Sequence, residues 1–262
     1  AIVLAGASEV EAEIMNATDP AVKEQLLEAL AGRVVMPYVI MAIVLVILSV
    51  MIWFSPLPEI DTDREEEASE SRLSKNKTSV FQFPHLLLGV LCLFLYVGAE
   101  VMAGDVIGTY GKSMGLSLDE TKNFTSYTLW SMVVGYIIGI ITIPKFIKQE
   151  KALMWSAIVG VVFSVLAYFT SGYISILFIA LLGLANSLMW PAIFPMAIDG
   201  LGKFTKIGSA LLVMGIAGGA ILPLVYGALA ESIPSQSAFF YVVLPCYLYI
   251  GYYAVKGYKV GK

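Results

Sequence analysis

The chain has 262 residues, a formal net charge of −4, 58% hydrophobic residues and only 14% charged ones, with a mean hydropathy of +0.82. That composition excludes an ordinary soluble domain, and the negative charge, with basic residues spread along the chain, excludes a nucleic-acid-binding module. The apolar residues come in uninterrupted blocks rather than with the period of 3.6 or 2 of half-buried elements, so the predicted solvent is lipid.

The sequence opens at Ala1 with no initiator Met and no signal peptide, which predicts a fragment of a longer chain. Residues 1–33 read as an extracytoplasmic stretch. It holds a short surface helix with Asp19 as N-cap, Pro20 at the first helical position and Gly32 near its end. A helix that crosses a bilayer needs about 20 mostly apolar residues. Val34 to Phe54 meets this without a charge and is predicted to be the last helix of an amino-terminal bundle. Residues 55–81, rich in Glu, Ser and Lys and including the acidic run Asp63 to Glu70, read as a solvated central cytoplasmic linker.

Residues 82–256 then supply six further spans. They are Gln82 to Gly104, Phe124 to Pro144, two within the charge-free run Ala152 to Ile198, Ile207 to Ala230, and Ser232 to Val255. The turn inside the double run is placed at Thr170-Ser171-Gly172-Tyr173, and residues 257–262 form a cytoplasmic tail. The fold class is therefore all-α, a polytopic transmembrane bundle.

Lysine and arginine in short loops mark the cytoplasmic side. Arg64, Arg72, Lys75 and Lys77, then Lys145, Lys148 and Lys151, then Lys203 and Lys206, then Lys256, Lys259 and Lys262 fall in alternate loops, twelve of the sixteen basic residues. With seven spans the carboxyl end is cytoplasmic. Cys92 and Cys246 both fall within spans, taken here as lipid-facing helices, and read as small apolar residues rather than a disulfide pair.

One span, a long linker and six close spans is the layout of a twelve-helix transporter cut within its first half. Such transporters place substrate near the bilayer midplane between inverted three-helix repeats. Glu100 is the sharpest signal, because a carboxylate inside a membrane helix costs about 2.5 to 3.5 kcal/mol and usually faces a cavity. It reads as a proton-titrating or sugar-binding acid, or else as an acid near the outer mouth bonded to a neighbouring helix. Tyr96 lies one turn before it on the same face. Asn186 and Trp190 are also one turn apart, and Pro191 frees a backbone carbonyl near Ser187. An amide, an indole and a free carbonyl suit a polyhydroxylated ligand; helix glue and a simple kink are the competing readings. Gly135 with Gly139 and Gly215 with Gly219 allow close helix approach, and Gly218, Gly219 and Pro223 would make a pliable point during alternating access. His85 reads as a boundary residue.

Three segments resemble a family: Tyr96-Val97-Gly98-Ala99-Glu100, the block Gly183 to Pro195 (GLANSLMWPAIFP), and Gly218-Gly219-Ala220-Ile221-Leu222-Pro223. They are similar to carboxyl-half motifs of the fucose:proton symporter family, which includes glucose/galactose transporters and belongs to the major facilitator superfamily. The resemblance implies import of a hexose or deoxyhexose by proton symport, with sodium as the alternative coupling ion, in a bacterial inner membrane. Read together with it, the candidate substrate contacts are Glu100, Asn186, Trp190, Tyr96 and Tyr226, the candidate proton-coupling group is Glu100, and the candidate hinges are Pro191, Gly218, Gly219 and Pro223. The resemblance implies a missing amino-terminal half as partner, holding the family's main proton-titrating acids. Tyr226 and Glu231 depart from the glutamine and aspartate that the family leads one to expect, and Pro144 to Lys151 is only a degenerate form of the superfamily's basic loop motif.

A membrane enzyme would need converging nucleophiles, bases or metal ligands; one His, two Cys and one mid-span acid do not supply them, so neither metal nor cofactor is expected. A drug or other small-solute transporter of the same fold is the competing function, favoured by the Met and aromatic content.

Overall fold

The computed structural model describes residues 13–14, 16, 19–55, 74, 77–143 and 145–261. The acidic run Asp63 to Glu70, Arg72 and Lys75 lie outside the described residues. Every element among the described residues is helical, and seven helical stretches are long and apolar enough to cross a membrane.

The first helix, α1 (Pro20–Trp53), is longer than either element the sequence suggests. Asp19 does cap it, its Oδ1 accepting the Ala21 N–H at 2.9 Å, and Pro20 stands at the first position. The expected stop at Gly32 does not occur. A glycine inside a helix costs only about 1 kcal/mol, too little to end a helix flanked by good helix formers, and the chain runs on through Pro37. Its 34 residues exceed the ~30 Å hydrocarbon layer, so the polar first turns project beyond it.

The six spans from residue 84 onward form a bundle in which α2 (Pro84–Gly104) is central, packing closely against all the others except the span Gln149–Phe169. Two short helices, α3 (Ile107–Ser113) and α4 (Leu118–Thr121), follow and cover one end of the bundle. Then come α5 (Phe124–Thr142), α6 (Gln149–Phe169), the pair α7 (Gly172–Asn186) and α8 (Met189–Ile198), the pair α9 (Thr205–Met214) and α10 (Gly218–Ala230) joined by a 3₁₀ turn at Gly215–Ala217, and α11 (Ser235–Val255). The turn between α6 and α7 falls at Thr170 and Ser171, with Gly172 at φ +57°, a left-handed conformation that glycine adopts without strain.

Two spans expected to be continuous are therefore interrupted. The run from 172 to 198 breaks at Ser187 and Leu188, directly after Asn186. Pro191 has no N–H to return to the Ser187 carbonyl, and the Ser187 hydroxyl instead turns back to the Leu184 carbonyl at 2.8 Å. The run from 202 to 230 tightens to 3₁₀ geometry at its glycines.

The lysine-bearing loops gather at one end. There the His85 ring meets the Asp199 carbonyl at 3.0 Å, the Tyr253 hydroxyl donates to the His85 carbonyl at 3.3 Å, and the Lys77 ammonium sits 3.8 Å from the centre of the Phe83 ring. His85 is thus no loose boundary residue but fully buried in a junction of α2, α8 and α11. At the opposite end the Gln236 amide donates to the carbonyls of Ala167 and Tyr168 at 2.9 and 3.0 Å, and to that of Thr170. Tyr110 and Ser175 bond at 2.7 Å, Thr125 and Thr128 donate to the carbonyls of Gly104 and Ala103, and Tyr173 bonds Glu120. Each end of the bundle is thus latched by polar groups. Cys92 and Cys246 are free and buried inside the bundle rather than on lipid-facing surfaces.

Candidate functional site

The candidate site lies where α2, α5, α7, α8 and α11 meet, at the break between α7 and α8. Glu100 is half-buried there, with the phenol of Tyr96, one turn earlier on α2, facing its carboxylate. The phenols of Tyr136 on α5 and Tyr247 on α11 lie within electrostatic reach of the same carboxylate. The Tyr247 hydroxyl donates to Asn186 Oδ1 at 2.8 Å. The Tyr96 ring meets the Trp190 ring edge-on at 6.5 Å, and Trp190 stacks on Phe194 at 6.2 Å. Four residues singled out from the sequence, Glu100, Tyr96, Asn186 and Trp190, therefore come together around one point.

Glycines make this convergence possible. A Cβ at Gly135 would lie 2.1 Å from Ser187 Oγ, one at Gly139 2.1 Å from Leu188 Cδ2, and one at Gly183 2.2 Å from the Thr128 carbonyl oxygen. These glycines press α5 directly onto the break. A Cβ at Gly160 would lie 2.5 Å from the Tyr247 ring, so α6 is notched where the tyrosine passes on its way to Asn186. Tyr136 and Tyr247 are the site residues that sequence reasoning missed. Tyr247 stands on a helix with no polar motif of its own, and only the packing shows its hydroxyl directed inward.

Tyr226 does not join this group. Its ring lies edge-on to Phe239 and its hydroxyl reaches Ser235, because α10 approaches α2 through Gly218 and Leu222, on a different side of that helix from Trp190. Gly218 is locked rather than loose: a Cβ there would stand 1.8 Å from the Phe94 carbonyl oxygen, and one at Gly98 2.1 Å from Leu222 Cδ1. Pro191 sits at the break itself and Pro223 within α10.

A cleft of about 190 Å³ opens beside the break, lined by Tyr136, Gly139, Gln149, Leu188, Pro191 and Ala192. A second cavity, of about 390 Å³, lies between α6 and α11 among Met154, Ile158, Val161, Val162, Leu248 and Val255. Its walls are aliphatic apart from the Tyr247 ring, whose hydroxyl is already bonded to Asn186. Among the described residues no cluster of three His, Cys, Asp or Glu side chains forms that could hold a metal ion.

The break in α7–α8 thus gathers an acid, an amide and aromatic rings at a discontinuity of a membrane helix. The chain is 34% identical over 242 residues to a glucose/galactose transporter of Brucella abortus, covering 91% of this chain and 57% of that protein. It is 23% identical over 233 residues to the L-fucose-proton symporter of Escherichia coli, covering 88% of this chain and 53% of that protein. This chain is a homologue of those transporters and has the major facilitator fold. Among solved structures, a major facilitator superfamily transporter in the outward conformation, FucP, superposes with a TM-score of 0.70 at 23% identity, over 92% of this chain and 59% of that one. A peptide transporter superposes with a TM-score of 0.55 over 74% of this chain. No protein-family model matches the chain. The chain spans a little over half the length of the curated relatives it matches, and it is a multi-pass membrane protein related to transporters, not to enzymes.

Proposed function

We propose that this chain carries six helices of one half of a secondary transporter that imports a hexose or deoxyhexose, driven by the proton gradient, by alternating access. The observation that carries the reading is the junction of Glu100 and Tyr96 with the α7–α8 break, where Asn186 is buried and Trp190 packs on Tyr96. Hydroxyl groups of a sugar pair with a carboxylate and an amide, while its C–H face packs on an indole. Glu100 is the group through which proton binding would couple to sugar binding. The remaining length of the longer relatives corresponds to a partner set of helices, against which α2 to α11 would rock about the shared site. Residues 34–54 then close the amino-terminal bundle, 55–81 link the halves and 82–256 form the second bundle. The lysine-rich end faces the cytoplasm of a bacterial inner membrane, which puts the carboxyl terminus inside.

The test is uptake of labelled D-glucose, D-galactose and L-fucose by the full-length protein in proteoliposomes, with and without an inward proton gradient. Wild type should concentrate at least one of the three only with the gradient. Glu100→Gln should abolish gradient-driven accumulation while leaving sugar exchange, and Asn186→Ala should raise the KM. Normal accumulation by both variants, or accumulation of none of the sugars by wild type, overturns the assignment.

A further inference from the structure

Asn186 carries an unresolved demand. It is fully buried, its Oδ1 accepts the Tyr247 hydroxyl at 2.8 Å, and its Nδ2 has no hydrogen-bond partner. A buried amide N–H₂ left unpaired costs on the order of 1–3 kcal/mol per group, and such groups in native proteins usually answer to something absent from the resting structure. A side-chain amide also has two chemically opposite ends on one rotatable bond. With only solvent or apolar neighbours it could present either end. Tyr247 removes that freedom: its hydroxyl donates to the oxygen, so the donor end points the other way.

Three further observations indicate that this arrangement is built rather than incidental. Tyr247 comes from α11, 61 residues away in sequence, and is itself fully buried. It reaches Asn186 only because Gly160 leaves a notch that a single Cβ would fill. Its phenol also lies within electrostatic reach of Glu100, although Tyr247 belongs to neither motif.

We infer that Tyr247 is a positioning residue that sets the Asn186 side chain with its N–H₂ end toward the transported molecule, so that Asn186 serves as a donor to an acceptor oxygen of the sugar. The inference rests on the sugar-transport reading above. Tyr247 itself need not touch the substrate; it acts through the amide, and it adds a specificity element from the rear helix of the bundle. An amide held as donor meets a sugar oxygen without an ordering cost, so it discriminates more strongly than a freely turning one against a sugar that lacks that oxygen.

The experiment is a double-mutant cycle in proteoliposomes of the full-length protein, reading KM and maximal rate for the best of labelled D-glucose, D-galactose and L-fucose. Tyr247→Phe keeps the ring in its notch and removes only the hydroxyl. It should raise KM about tenfold, the factor for one lost hydrogen bond of about 1.4 kcal/mol, with the maximal rate per protein little changed. Asn186→Ala should raise KM by a similar factor, and the double variant should be no worse than Asn186→Ala alone, because the tyrosine acts only through the amide. Asn186→Asp, which keeps the acceptor for Tyr247 but loses the donor, should bind sugar as weakly as Asn186→Ala. If Tyr247→Phe leaves KM unchanged while Asn186→Ala raises it, the positioning role is wrong and the sugar-binding reading stands. If the two effects add in the double variant, Tyr247 acts structurally and the inference is likewise overturned. If Asn186→Ala changes nothing, both the inference and the amide's place in the sugar site fail together.

Discussion

Gly218→Ala adds one methyl group at the tightest contact in the bundle. The new Cβ would lie 1.8 Å from the Phe94 carbonyl oxygen and 2.6 Å from its carbonyl carbon, where an unstrained carbon contact needs about 3.5 Å. The obstacle is backbone in the middle of α2, so no rotamer change relieves it. The helices must instead part by roughly 1.5 Å, and the contacts on either side, Gly98 with Leu222 and Gly215 with the Val90 carbonyl, open with them. Overpacking of this kind costs typically 1–3 kcal/mol. The upper end applies because backbone opposes it, so a fall of about 6–12 °C in melting temperature follows at about 2–4 °C per kcal/mol for a domain of this size. Gly104→Ala, on α2 where an added Cβ meets nothing within 4 Å, is the matched control and should be neutral or slightly stabilising. Gly219→Ala, whose Cβ would meet only the Val101 and Val97 methyls at 3.0 and 3.1 Å, should fall between them. The assay is heating of the detergent-solubilised full-length protein followed by size-exclusion chromatography with fluorescence detection. If Gly218→Ala melts with Gly104→Ala, α2 and α10 do not approach as described, and the glycines serve a pliable segment rather than a fixed contact.

Two further outcomes test the topology and its latches. Cysteines substituted for Lys148 and Lys206 in a background lacking Cys92 and Cys246 should react with an impermeant maleimide only from the cytoplasmic side; labelling from opposite sides would dismantle the order of spans. Gln236→Ala removes the amide that ties the start of α11 to the carbonyls of Ala167, Tyr168 and Thr170 at the end of α6. It should destabilise the protein by about 1–3 kcal/mol, read as a lower melting temperature with sugar KM unchanged; a changed KM would place that end of the bundle in the binding site.

Membrane crossings were legible in the sequence because lipid imposes one requirement, about 20 apolar residues per helix, that any run either meets or fails. The same requirement hides what happens inside a run. The segment from 172 to 198 is apolar throughout, yet breaks after Asn186 because Pro191 withdraws a donor and Ser187 turns to Leu184; length and hydropathy alone cannot register that. Gly32 failed as a stop signal for a related reason, since its cost is small against the continuing helix around it. At the site, Glu100 and Asn186 stood out because polar groups are rare in lipid. Tyr247 and Tyr136 did not, because tyrosine is common at membrane depth and its hydroxyl's direction depends on neighbours such as Gly160. Tyr226 shows the converse: a residue placed at the site by resemblance is turned away by the side of α2 that α10 occupies.

The glycines join these points into one physical argument. In lipid, helix association has little hydrophobic drive and depends on close van der Waals contact, so positions without a Cβ decide which helices touch and at what height. Here they fall at two places. Gly98 and Gly218 fasten α10 to α2, while Gly135, Gly139 and Gly183 fasten α5 to the broken pair α7–α8. Glu100 and Trp190 lie between the two seams, only partly buried. A group held between two tightly keyed contacts cannot move without shifting a whole helix pair. On the transport reading proposed above, occupancy or protonation of that group would be felt as a change in helix position rather than a local side-chain rearrangement, the mechanical condition that alternating access requires.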